Sequence, residues 1–425
     1  MKRALWFIFK LAILVALVIW LAEHPGTIIL NWQGLVLSLP LGLFVLLLAL
    51  LFVLLLGVRS VLIALEDGPA AWGRANSRRA IDRGQAALVK GWGALAAEDG
   101  KMALKYARAA RGWLGDAPLV SDLTAKAAIK TGNLVTAKAN FISLAHRPDT
   151  AALGETGLMR IALNEGDLDQ ALVHVRRAHE AAPHNAELAR RHFEIAARLT
   201  VYDEAERALT DAEKGVAVTP DKARRHRAVL HLARSFDAGA SEDGEKALEA
   251  AVKAVNVDPG FAPVAAHAAL ALHAADRKRQ AEKTLEKAWK QSGHPDLIQA
   301  WDALDPGSDD LSKVVWMEKL AQWSPNHADG HLVAAAASMD ARLWGEARTK
   351  LEAALAISPS VTACRMMARL AEESTGDSRA ARDWLLKAAD APPVPHWRCA
   401  ACKTVANEWA THCPACGAFD SLDWD

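Results

Sequence analysis

Two long apolar runs open the chain. Residues 4–22 (ALWFIFKLAILVALVIWLA) carry a single charge, Lys10, and residues 41–58 (LGLFVLLLALLFVLLLGV) carry none. Each is long enough to cross a bilayer core, which takes about 20 apolar residues, with Lys10 reaching back toward the headgroups. The pattern predicts two membrane-spanning helices. Lys2 and Arg3 resemble the basic start of a secretory signal, yet no small-x-small cleavage site follows at Glu23-His24-Pro25 and a second run comes soon after. Both spans are therefore expected to persist. Between them, TIILNWQGLVLSL is two apolar stretches around Asn31-Trp32-Gln33-Gly34, which predicts a small hairpin at the membrane surface with Trp32 at headgroup depth.

Beyond the second run the pattern becomes helical and repeats. A small or turn-forming stretch is followed by an alanine, another alanine seven residues on, and often a proline twelve residues on. In GDLDQALVHVRRAHEAAP these are Ala171, Ala178 and Pro183. Equivalent first alanines stand at Ala103, Ala137, Ala205, Ala247, Ala281, Ala347 and Ala381, and 103, 137, 171 and 205 are 34 residues apart, as are 247 and 281, and 347 and 381. The second alanine recurs at Ala110, Ala212, Ala254, Ala288, Ala354 and Ala388, and the proline at Pro259 and Pro359. The gap between Ala281 and Ala347 has room for one degenerate copy around Lys313, with Leu320 and Pro325 in register. Eight extra residues between Ala205 and Ala247 are expected to lengthen an inter-helix turn at residues 235–241.

A constant 34-residue period with these anchors resembles the tetratricopeptide repeat, in about nine copies over residues 80–391. The two alanines share one face of the second helix of each pair, where helices approach too closely for a larger side chain, and the proline ends that helix. One pair cannot bury its apolar face alone, so neighbours must stack into a continuous core. An unrelated alanine-rich bundle would show no such period. The repeat resemblance implies a concave groove, lined by the first helix of each pair, that binds peptides or proteins. No groove residue is singled out: Arg160, Arg191, His192 and Arg198 read as ordinary solvated charges.

Charge adds orientation and removes a class of partner. Lys2 and Arg3 precede the first span and Arg59, Arg74, Arg78, Arg79 and Arg83 follow the second, while residues 23–40 hold no Lys or Arg. Positive flanks stay cytoplasmic, so the expectation is a multi-pass protein of the bacterial inner membrane with both termini in the cytoplasm. Lys plus Arg equals Asp plus Glu at 50 each, which gives no reason to expect nucleic-acid binding.

The sharpest chemical signal follows the linker Ala391-Pro392-Pro393-Val394-Pro395. Cys399 and Cys402 form one CxxC, Cys413 and Cys416 a second, ten residues apart. Each CxxC can wrap a tight knuckle whose two thiolates share one metal, and Gly417 suits the turn after the second. Four thiolates make a closed tetrahedral site that accepts zinc or iron; zinc in a structural role is favoured. Trp397, Trp409, Phe419 and Trp424 are expected to fill the small core, with the metal supplying the rest of the folding energy. Cys364 reads as a packed core thiol. Cys413-Pro414 also matches a Cys-Pro dipeptide of haem-regulated proteins, although CPxCG is already accounted for by the knuckle.

The sequence is thus read as all-α: a two-helix transmembrane hairpin with a short periplasmic loop (1–65), a tetratricopeptide-repeat right-handed α-solenoid (66–391) and a four-cysteine metal-binding ribbon (392–425). The hairpin, the HPG and Trp of its loop, and the Arg-rich exit through WGRANSRRAIDRGQAALVKGWGALAAEDGKMALKYARAA resemble the HemY family of inner-membrane proteins. That resemblance implies a link to haem and tetrapyrrole biosynthesis, with pathway enzymes as partners. The cysteine segment resembles the rubredoxin-like or zinc-ribbon knob of the lipopolysaccharide assembly protein B family, which implies an alternative role as an adaptor in envelope quality control. Direct carriage of haem or a porphyrin is a third reading. No nucleophile elbow, P-loop, HExxH or GxGxxG turn occurs, so no enzyme is expected.

Overall fold

The computed structural model describes residues 12, 15, 16, 19, 20, 26–32, 35–305, 307 and 309–425. Most of the first apolar run lies outside them. The chain forms two compact units, Met1–Thr131 and Gly132–Asp425.

In the first unit, β1 (Thr27–Trp32) and β2 (Leu35–Pro40) pair antiparallel, from Thr27 against Pro40 to Trp32 against Leu35. Helix α1 follows at once and runs 56 residues, Leu41–Ala96. Its stretch Leu41–Arg59, of mean hydropathy 3.2 and unburied, is the one helix among the described residues that is long and apolar enough to cross a membrane. Residue 65, the expected end of the hairpin, falls inside α1, which continues as the first helix of the first pair. Its last turns pack against α2 (Gly100–Leu114) and α3 (Pro118–Lys130) around Leu88, Ala107, Ala110, Val120 and Leu123.

The second unit continues the series: α4 (Leu134–Ala145), α5 (Ala151–Glu165), α6 (Leu168–Ala181), α7 (Ala186–Arg198), α8 (Tyr202–Lys214), α9 (Pro220–Ala240), α10 (Gly244–Val257), α11 (Ala262–Ala274), α12 (Lys278–Trp289), α13 (Pro295–Ala303), α14 (Asp310–Trp323), α15 (Ala328–Asp340), α16 (Trp344–Ile357), α17 (Val361–Thr375) and α18 (Ser378–Asp390). This is a tetratricopeptide-type solenoid. Even-numbered members are the second helices of the pairs.

The sequence period is a structural period. The first alanines, at 103, 137, 171, 205, 247, 281, 347 and 381, are each the fourth residue of a second helix. All but Ala247 are buried. The residue capping the helix four positions earlier is Asp99, Asn133, Asp167, Asp243 or Asp377 in five of these, each accepting a hydrogen bond from a backbone N–H of the first turn. Such a cap satisfies a donor the helix cannot. The residue before the cap turns left-handed every time: Glu98, Gly132, Gly166, Thr200, Glu242, Asp276, Arg342 and Gly376 all have φ between 57° and 77°. Glycine takes that conformation freely and the others take it at a cost. The prolines at 183, 259, 325 and 359 each follow directly on a helix C-cap. Lys313, the fourth residue of α14, is half-buried and pairs with Asp302 of α13 at 3.0 Å, so a cation stands where the other copies place alanine.

The eight extra residues do not lengthen a turn. They lengthen a helix: α9 has 21 residues where α7, α11 and α15 have 13. Tertiary contacts outweigh the local Ser and Gly signals. The Ser235 hydroxyl donates to the Ala247 carbonyl at 2.7 Å, the Phe236 ring lies 4.5 Å from that of His267, and the Tyr202 hydroxyl donates to Asp237 at 2.6 Å.

Inside the stack, the Glu204 carboxylate of α8 accepts two hydrogen bonds from Arg176 of α6, at 2.8 and 2.7 Å, and a third from His192 of α7. Arg176 holds Glu204 down at a pKa of about 2. His192, expected to be solvated, is buried in this network. Cys364 is buried in α17, as expected of a core thiol.

Candidate metal centre

After α18 the linker leads into three short strands, β3 (Trp397–Cys399), β4 (Val405–Ala406) and β5 (Leu422–Trp424), in an antiparallel sheet with β3 central. Two loops hang from it, and they are built alike. In one, Cys399 N–H donates to the Thr404 carbonyl at 2.9 Å and Lys403 N–H to the Cys399 carbonyl at 2.9 Å; in the other, Cys413 N–H donates to Ala418 at 2.9 Å and Gly417 N–H to Cys413 at 2.8 Å. The fifth residue of each knuckle is left-handed, Lys403 at φ 63° and Gly417 at φ 68°.

The knuckles bring the four Sγ atoms within 4.8 Å of one another, with Cys399 to Cys416 at 3.8 Å and Cys402 to Cys413 at 3.7 Å. A tetrahedron with metal–sulfur bonds of about 2.3 Å has edges of about 3.8 Å, so the four thiols can hold one metal ion. No disulfide joins them. Burial pushes the Cys399 thiol up, but the Ser421 hydroxyl at 3.3 Å and the backbone N–H groups of Cys402 and Ala401 outweigh it and bring it down to about 6. The backbone N–H of Ala418 favours the Cys416 thiolate, yet burial and the neighbouring Cys402, Cys413 and Cys399 thiols push it up to about 12. Four thiolates this close repel one another, and a bound cation removes the conflict.

The core of this knob is smaller than the aromatic residues suggest. Trp397, Cys399, Cys413 and Leu422 are its buried members. Phe419 packs with the solenoid cluster of Phe193, Ile195 and Ala223, Trp409 packs half-buried against the knob core as expected and also stands with its ring 5.4 Å from Phe261, and Trp424 is 37% exposed with its ring 5.1 Å from Trp397. Of the expected core aromatics, Phe419 therefore packs on the helices and Trp409 bridges knob and helices.

That contact is extensive. The Arg225 guanidinium of α9 donates to Asp420 at 3.0 Å, to Asp423 at 3.1 Å and to the Leu422 carbonyl at 2.8 Å; His226 Nδ1 meets the other Asp420 oxygen at 2.7 Å. His412 Nε2 reaches the Ala197 carbonyl of α7 at 3.1 Å. His294, the cap of α13, is sandwiched with ring centroids 5.0 Å from Trp397 and 4.5 Å from Trp424. Burial takes His294 down to about 4 and Asp296 beside it up to about 6. All these partners lie on first helices or at their caps. The same face continues past the knob as a cavity of about 730 Å³ between Ile298, Leu332, Val333 and Met366 on one side and Pro393 and Trp424 on the other.

The four cysteines fall together as their spacing implied. Arg225, His226 and Asp420 were missed, although the basic run Arg224-Arg225-His226-Arg227 and the acidic tail FDSLDWD are complementary charge signals in an otherwise balanced chain.

A helix-pair solenoid carrying a four-thiol knob, with an apolar helix leading into its first pair, defines the class: a tetratricopeptide-type helical-repeat protein. Residues 26–132 match the family described as the HemY protein N-terminus, the resemblance noted for this stretch of the sequence. The probable magnetosome protein Mms48 of Magnetospirillum gryphiswaldense is 34% identical over 208 residues, covering 49% of this chain and 46% of that protein. The chain thus spans about half the length of this curated relative. Among solved structures, the TPR2AB-domain:pHSP90 complex of yeast Sti1 covers 72% of this chain and 99% of that chain at 16% identity and a TM-score of 0.28. A thermophilic tetratricopeptide protein of Thermus thermophilus covers 44% of this chain and 98% of that chain at 22% identity and a TM-score of 0.25. MamA of Desulfovibrio magneticus RS-1 covers 49% of this chain and 95% of that chain at 15% identity and a TM-score of 0.22.

Proposed function

We propose that this protein is a non-catalytic scaffold of the bacterial inner membrane that gathers partner proteins, among them tetrapyrrole-pathway enzymes, on the first-helix face of its solenoid. The observation that supports it is the continuity of α1. A stretch apolar enough to span a bilayer becomes, without a break, the first helix of the first pair, within the segment that matches the HemY N-terminus. With two spans and both termini cytoplasmic, residues 66–391 are within reach of cytoplasmic enzymes. The open cavity beside the linker, mostly apolar, is the surface for a partner segment. In residues 392–425 the four thiolates hold zinc in a structural role, with no open coordination position for chemistry.

In-cell crosslinking followed by affinity purification and mass spectrometry tests this reading. Late tetrapyrrole enzymes among the captured proteins support it, and their absence overturns it. The knob favours a second reading, an adaptor in lipopolysaccharide quality control; recovery of a membrane protease together with a lipid A enzyme would select it.

A further inference from the structure

The knob's tail has two faces: β5 pairs with β3 and buries Leu422 in the knob's core, while other side chains of the tail turn outward. Phe419 and Asp420 lie outside its buried core of Trp397, Cys399, Cys413 and Leu422, and both side chains are directed at the helices. Asp420 has no exposed side-chain surface at all. A carboxylate stripped of water is costly unless it is paired. Its pairing comes wholly from Arg225 and His226, so this acid serves docking.

The receiving face has a definite chemistry. Arg225 lies across the Phe261 ring at 4.4 Å and reads three groups of the tail: two carboxylates and the carbonyl between them. Phe193 meets Phe419 edge-on at 5.9 Å, with His226 alongside. The guanidinium of Arg198 reaches the Cys416 carbonyl at 3.5 Å. Cations flanked by aromatic rings on adjoining first helices suit a short segment in which an aromatic residue is followed by carboxylates, which is what FDSLD supplies.

We infer that the face of α7 and α9 is a recognition site for an acidic-aromatic segment of a partner protein, and that residues 417–425 of this chain occupy it as a built-in competitor. The inference rests on the scaffold reading and names the chemistry of one of its sites. The knob is tethered through the proline-rich linker after α18, so its local concentration is high and a free partner binds only when the knob as a whole leaves the face.

The test uses the full-length protein in detergent micelles and a fluorescein-labelled peptide of residues 417–425, GAFDSLDWD, read by anisotropy. Three proteins are compared: the intact chain, a Phe419→Ala/Asp420→Asn variant that keeps all four cysteines, and that variant with Arg225→Ala added. Limited proteolysis of the linker at 391–396 reports release of the knob. The expected result is faster linker cleavage and at least tenfold tighter peptide binding in the opened variant, with the gain lost on adding Arg225→Ala. A control peptide with its three aspartates replaced by asparagine should not bind. Unchanged linker cleavage in the opened variant, equal affinity for intact and opened proteins, no binding to the opened protein, or binding indifferent to Arg225→Ala would each overturn the inference. A Cys413→Ser variant opens the face by a second route and should bind the peptide as the first does; failure to do so counts against the proposal. These outcomes are independent of which proteins are crosslinked in cells, so either reading can fail alone.

Discussion

Arg225 and Asp420 stand 195 positions apart, and their side chains meet at 3.0 Å with the carboxylate wholly out of solvent. Removing one partner of a buried pair costs about 3–5 kcal/mol, because the remaining charge stays desolvated. Arg225→Ala should therefore loosen the knob by a large part of that amount, discounted for the partial exposure of the guanidinium. Hydrogen exchange at residues 397–424 should accelerate while exchange in α15–α18 stays as it was. Unaltered protection in the knob would show that the aromatic contacts alone hold it.

Thr200 occupies the left-handed turn position at φ 57°, where Gly166 sits at 77° one repeat earlier. A β-branched residue is strained there. Thr200→Gly should raise stability by about 0.5–1 kcal/mol even though it removes atoms, and Gly166→Ala should lower it by about 1 kcal/mol. Thermal unfolding of the two variants should move in opposite directions.

Alanine at the fourth position of a second helix is a packing requirement where it is buried. Ala171 is fully buried and Ala247 is not. Ala171→Leu should destabilise by about 1–3 kcal/mol or more through overpacking, and Ala247→Leu by much less. Denaturant midpoints for the pair would settle the comparison; equal losses would mean that burial is not the cause.

His294 and Asp296 pull in opposite directions as pH falls. The His294 pKa drops from its ordinary 6.5 to about 4 through burial, so acidification below 6.5 protonates the unfolded chain first and erodes stability until pH 4. The Asp296 pKa rises from 3.8 to about 6, also through burial, so the folded state takes up its proton first and gains stability between pH 6 and 3.8. Relative to the unaltered protein, Asp296→Asn should lose stability faster between pH 6.5 and 4, and His294→Gln should lose it more slowly. Unfolding curves at pH 7 and pH 4.5 measure both slopes.

Cys413→Ser should abolish metal binding by the knob and expose the linker to protease. The helical circular dichroism signal should remain nearly intact, because the solenoid clusters are built from helix residues with Phe419 and Trp409 only at their edges. A collapse of helix content would show that the repeats need the knob as a cap.

The repeat was legible because its period is carried by residues that local sterics dictate: a capping Asp or Asn, a buried alanine and a terminating proline. The clustering of the four cysteines was legible for a similar reason, since two CxxC pairs encode their knuckles within a few residues. What escaped was non-local. Residues 235–241 read as a turn, and only contacts with Tyr202, Ala247 and His267 make them helix as far as Ala240. His192 and Arg225 sit in sequences as polar as any solvated helix face, and what distinguishes them is a partner 12 residues away in one case and 195 in the other. No window along the chain contains that information.

The order of the chain also sets an order in time. The knob emerges from a ribosome about two hundred residues after α7 and α9, or roughly 10–40 s later at typical synthesis rates of about 5–20 residues per second. During that interval the first-helix face is not covered by the knob. If the proposed scaffold reading holds, a nascent chain meets a client before its own knob arrives, which makes assembly during translation a different event from assembly afterwards.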